Sequence, residues 1–184
     1  ANLDPRVIKE TSSLVRAGYA VTVFGWDRSG LHPREETIGG ARFRMSRVPA
    51  PYGSKLLLFL LPLYWIHALS AIRSGRPAVV HACDFDALVP ALIGKMLFGH
   101  TVVYDIFDHF ADKISGVPGF MRWIIRRIDA RLMRRADLIL VTDEHRRKHI
   151  GDPGDVPVGV IMNVPPLIEA LDERADRTGV VRVC

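Results

Sequence analysis

Cysteine is scarce in this chain. Cys83 and Cys184 stand far apart with no spaced Cys/His cluster between them. That excludes a disulfide framework and a zinc site, and it fits the reduced thiols of a cytosolic protein. No G-x-G-x-x-G follows any strand-like run, which argues against a dinucleotide-dependent oxidoreductase. Nor is there an apolar run of the roughly 20 residues that a membrane span needs. Leu56 to Ile66 is apolar, but Pro62 interrupts it and His67 follows it. The aromatic share is 8%, with no interleaved stacking platform and no groove-reading motif, so nucleic acid is not expected as a partner. Residues 1–10 are mixed and charged, unlike a signal peptide.

What is present is ordinary for a globular domain: 184 residues, 48% hydrophobic and 24% charged. Lys and Arg number 25 against 20 Asp and Glu, a net charge of +5 that favours an anionic partner. Asp4-Pro5 starts a helix, with Asp as cap and Pro at the first helical position. Val7, Ile8, Leu14 and Val15 give that helix an apolar stripe, and Gly18 stops it. Tyr19 to Gly25, Ala78 to Ala82, Thr101 to Asp105, Asp137 to Thr142 and Val158 to Met162 read as buried strands. Residues 26–40 read as a loop, and Ala41 to Val48 as a strand nearer the sheet edge. Helices are expected over 54–74, 85–98, 118–135 and 143–150. Apolar strands alternating with helices define an α/β fold with a doubly wound, Rossmann-like parallel sheet. In such sheets ligands bind beyond the carboxyl ends of the strands. Here those ends carry His81 to Asp84, Asp105 to His109, Thr142-Asp143 and Asn163.

Four segments resemble the N-terminal domain of a family 4 glycosyltransferase of the GT-B type. They are Asp4 to Glu10 with Leu14, Ala17 to Tyr19 and Val21 to Val23; Val80 to Asp84 with Ala87 and Pro90 to Leu92; Val103 to Asp108; and Arg135 to Thr142 with Val160 to Asn163. The resemblance implies a two-domain enzyme that moves a sugar from a nucleotide-sugar to an acceptor, with retention and without a metal or other cofactor. On that reading residues 1–166 form the acceptor-side domain, 167–178 the interdomain linker and 179–184 the start of the donor-binding domain. The family's first strand and most of its second domain are then missing, and the fragment alone is expected to be inactive. Two positions depart from the family pattern. Cys83 stands where the family has a second His, and Phe107 where it has a catalytically important His; His109 lies two positions later.

Asp105, Asp108, His109 and Asp112 gather three carboxylates and an imidazole at one strand end. Carboxylates accept hydrogen bonds from sugar hydroxyls, and His can take a proton near neutral pH. Asp108 and His109 are therefore the candidate catalytic residues. Asp105, His81, Asp84, Asn163 and Arg6 are the candidate substrate-binding residues, Arg6 because its place in a first helical turn calls for an anionic or carboxylate partner. No metal ligand set is expected. On helix 118–135, Phe120, Met121, Ile124, Ile125, Ile128 and Leu132 share one face, which is expected to pack inward on the sheet. Arg122, Arg126 and Arg127 then face out as candidate contacts to an anionic membrane surface. The apolar helix before the second strand is expected either to pack in the core or to lie in a membrane interface, which Tyr64 and Trp65 would suit. The expected activity is sugar transfer to a lipid-linked or polysaccharide acceptor, in the cytoplasm and peripherally on the inner membrane face. The competing reading is a non-catalytic α/β module that binds an anionic partner or membrane.

Overall fold

The computed structural model describes residues 4–50, 56–107 and 118–162. Helix α1 (Pro5–Arg16) is capped by Asp4, whose side chain accepts the Arg6 N–H at 2.8 Å. Strands β1 (Thr22–Trp26), β2 (Glu35–Ile38) and β3 (Ala41–Ser46) follow, then α2 (Leu56–Gly75). Next come β4 (Val79–Cys83), α3 (Asp84–Phe98), β5 (Thr101–Ile106), α4 (Gly119–Leu132), β6 (Leu138–Val141), α5 (Glu144–Arg147) and β7 (Val158–Val160).

Among the described residues the strands form two sheets, β1-β3-β2 and β4-β5-β6-β7. The second is parallel throughout, as the apolar strands led us to expect. In the first, β1 and β3 are parallel while β2 runs antiparallel to β3. This corrects two expectations. Residues 26–40 hold a strand as well as a loop, and β3 lies in the centre of its sheet with β2 at the edge. The signal in β2 is weak because only Ile38 in Glu35–Ile38 is a large aliphatic, and its partner β3 supplies the buried side chains Ala41 and Phe43.

Strand pleat sorts the two faces of β4 and β5. Parallel pairing sets Ala82 beside Tyr104 and Cys83 beside Asp105. Side chains alternate across a strand, so Ala82, Val102, Tyr104 and Ile106 share one face and His81, Cys83, Val103 and Asp105 the other. The first face forms the main core with Leu88, Ala91 and Leu92 of α3, and with Met133, Ile139 and Val141. Tyr104 also donates from its hydroxyl to Asp129 of α4 at 2.8 Å. The second face is reached by α1.

Two helix-face expectations need correcting, and in a third helix the structure decides between core and interface. In α1 the buried residues are Arg6 and Thr11, while Leu14 of the anticipated apolar stripe is exposed. The reason is tertiary, since Arg6 has a buried partner across the fold. In α4 only Met121, Ile125 and Leu132 of the expected inward stripe pack, against a small cluster around Phe85, Leu61 and Ala50; Phe120, Ile124 and Ile128 are exposed. Asp129 turns inward to Tyr104, which rotates the helix away from the orientation its apolar side chains alone would choose. In α2, Tyr64 stacks on Trp26 with ring centroids 4.8 Å apart, and Trp65 donates to the Asp86 carbonyl at 2.9 Å. Both are therefore structural contacts rather than free interface anchors.

Candidate functional site

The carboxyl ends of β4 and β5 lie side by side, and the first turn of α1 closes over them. Asp105 is wholly buried there, at 0% side-chain exposure. Arg6 donates from Nη2 to both of its carboxylate oxygens at 2.8 Å. Arg6 Nε also donates to Glu10, one helical turn on, at 2.7 Å. Burial tends to lower the Arg6 pKa, but the hydrogen bond to Glu10 and the charge of Asp105 outweigh it, so the guanidinium is held firmly charged. Its face lies 4.2 Å from the centre of the Phe107 ring. Its Nη1 is buried and has no hydrogen-bond partner among the described residues.

His81 completes the group. Its Nε2 lies 3.0 Å from Asp105 Oδ2 and 3.9 Å from Glu10 Oε2, and its side chain is 29% exposed. A carboxylate accepts, so Nε2 carries the hydrogen toward Asp105 and leaves Nδ1 as the second nitrogen of the ring. An imidazole oriented in this way by an acid can receive a hydroxyl's hydrogen bond, or its proton.

Asp84 braces the two strand ends. It is buried, with φ +61°, a left-handed conformation that an L-residue adopts only at a cost of roughly 1–2 kcal/mol. Its Oδ1 accepts the Phe107 N–H at 2.9 Å. The Phe107 carbonyl accepts from Arg146 of α5. The position that departs from the family pattern is thus fixed from three sides. Cys83 is a free thiol pushed well up in pKa, first by burial and then by the nearby Asp105 and Glu10 charges, so it is not poised as a nucleophile.

Of the expected site residues, the structure brings Arg6, His81, Asp84 and Asp105 to one place. Asp108, His109 and Asn163, together with Asp112, lie outside the described residues. Glu10 joins the group although sequence reasoning did not single it out. The available signal was its position four residues after Arg6 on a helix, the spacing at which acid and base meet. Glu10, His81 and Asp105 bring potential ligand atoms within 4.8 Å of one another. The Arg6 guanidinium sits on both oxygens of Asp105, one of these three residues.

A parallel four-strand sheet flanked by helices, with an ionic group at adjoining strand ends, places the chain in the Rossmann-like α/β class. More narrowly, the chain belongs to the family described as glycosyl transferase 4-like domain, whose model matches residues 7–166. Among solved structures, it is similar to a sucrose-phosphate synthase from Thermosynechococcus elongatus. That match has a TM-score of 0.63 at 13% identity and covers 85% of this chain and 82% of the other, a likeness of fold. No curated protein sequence matches the chain.

Proposed function

We propose that this chain is the acceptor-side lobe of a glycosyltransferase, with a lipid-linked or polysaccharide acceptor whose hydroxyl docks at His81. The nucleotide-sugar would be held by a second lobe, and transfer would retain the anomeric configuration without a metal or other cofactor, as the family resemblance implies. The observation that carries the reading is the position of His81, the most exposed member of an ionic group at the strand ends in which Arg6 and Asp105 are buried. Asp105 then acts through His81, because its own oxygens are taken. Arg6 and Glu10 hold Asp105 and so fix the orientation of the ring. Asp108 and His109 are proposed as further catalytic groups and Asn163 as a further substrate contact on the sequence alone, since all three lie outside the described residues.

The test uses the full enzyme that carries this lobe, following release of nucleoside diphosphate. His81→Ala should lower turnover roughly a hundredfold, the size of a positioned proton-transfer or hydroxyl-binding group, while the thermal transition stays cooperative. Turnover unchanged by His81→Ala would remove the residue from the site. Asp108→Asn should likewise reduce turnover with little loss of folding.

A further inference from the structure

Helix α4 presents an unusual outer surface. At 100° per residue, Phe120, Trp123, Ile124, Arg127, Ile128 and Arg131 fall on one side of it. The four apolar members of this set are 65%, 59%, 42% and 41% exposed in chain order. The Arg127 guanidinium lies over the Trp123 ring, 5.0 Å from its centre. Arg126 is also exposed and borders the face beside Trp123, whereas Arg122 is exposed on the other side of the helix. The helix has a single acid, Asp129, which is turned inward to the Tyr104 hydroxyl. The outer face is thus apolar and basic with no acidic side chain on it.

We propose that this face of α4 docks on an anionic lipid bilayer, lying flat in its interface. The two components argue for the same occupant. Exposed arginines are complementary to anionic head groups, and each gains attraction near such a surface. An acidic protein surface would also take the arginines, but it would leave Phe120, Trp123, Ile124 and Ile128 unexplained. Lipid takes both, with the apolar side chains in the boundary between head groups and acyl chains and the guanidiniums at phosphate level. No described helix is long and apolar enough to cross a membrane, so a surface mode is the one on offer. The placement also has a consequence for the cleft. Helix α4 follows β5 and leads to the parallel neighbour β6, so it starts at the carboxyl end of the sheet. Phe120 and Trp123, in its first turns, belong to the end of the molecule that carries His81 and Asp105. Docking would set that cleft beside the bilayer.

Trp123 is a built-in reporter, since Trp26 and Trp65 are engaged inside the fold. The 184-residue chain is mixed at low salt with phosphatidylcholine vesicles, with or without phosphatidylglycerol, some carrying brominated acyl chains. Binding is read by co-sedimentation and insertion by tryptophan quenching, neither of which requires turnover. A failed glycosyltransferase reading therefore leaves this result intact, and the converse holds. Anionic vesicles should bind at least tenfold more tightly than neutral ones, with quenching that disappears in Trp123→Phe. Arg127→Glu with Arg131→Glu should weaken binding at least thirtyfold. Phe120→Ser with Ile124→Ser and Ile128→Ser should weaken it roughly a hundredfold while leaving circular dichroism unchanged. Absence of binding by the wild-type chain would overturn the proposal. So would quenching that persists in Trp123→Phe, or full binding by the serine variant, which would mean that the apolar side chains take no part in the contact.

Discussion

Asp105 illustrates how a single residue can be indispensable to a site without touching what binds there. It has no solvent exposure, and its oxygens face Arg6 on one side and His81 on the other. Deleting one partner of a buried ion pair leaves an uncompensated charge, which typically costs about 3–5 kcal/mol. Arg6→Leu should therefore lower the free energy of unfolding by about that amount in urea titrations. Arg6→Leu combined with Asp105→Leu should recover part of the loss, because no charge is then stranded. Equal losses for the single and double variants would show that the pair is not coupled. Among the described residues the Arg6 side chain is held by Asp105, Glu10 and the Phe107 ring, while its Nη1 finds no acceptor.

At the scale of elements, α2 runs unbroken through Pro62, which has no N–H to give and lies on an exposed position. Proline inside a helix removes a backbone hydrogen bond and crowds the preceding turn, while it also restrains the unfolded chain. Because Pro62 contributes nothing to the core, Pro62→Ala should raise stability by about 1–2 kcal/mol, read as a shift in thermal midpoint. No change, or a loss, would mean that the helix is already adapted to the proline. Helix α4 makes the complementary point. Its orientation follows from Asp129 reaching Tyr104 and from Met121, Ile125 and Leu132 finding the Phe85 cluster. The other large apolar residues are left outside as a consequence.

For the molecule as a whole, three carboxylates bind loops and helices together and are held below the usual carboxylate range. Asp137 is lowered chiefly by the Lys95 ammonium at 2.7 Å, helped by the Val102 N–H. Asp143 is lowered chiefly by the Arg146 N–H that it caps. At Asp27 burial pushes the other way, but the Ser29 hydroxyl and the N–H groups of His32, Gly30 and Ser29 outweigh it. A carboxylate with a lowered folded pKa adds stability in full above its unfolded pKa, and that contribution disappears as pH falls through the folded value. The urea midpoint should therefore hold near neutrality and decline below about pH 4. Asp137→Asn should be less stable than wild type at pH 7 and should show a smaller acid decline. A midpoint that falls between neutrality and pH 5 would instead implicate histidine.

The alternation of apolar strands with helices was written in the sequence. Runs such as Leu138–Val141 read as buried strands, and Val79–Cys83 as a strand of the same sheet with only Ala82 fully buried; a parallel sheet follows because helices separate them. The strand-end residues His81, Asp84 and Asp105 were legible for the same reason, since topology alone sends them to one edge. Tertiary structure decided the rest. Which strand end Arg6 reaches, and that Glu10 belongs to the same group, depend on where α1 lands, and local patterning carries no record of that distance. The antiparallel β2 escaped notice because its burial is supplied by β3 rather than by its own side chains. The outward turn of α4 escaped because periodicity marks which residues share a face but not where that face points. One hydrogen bond from Tyr104 to Asp129, linking residues far apart in the chain, helps to fix that direction.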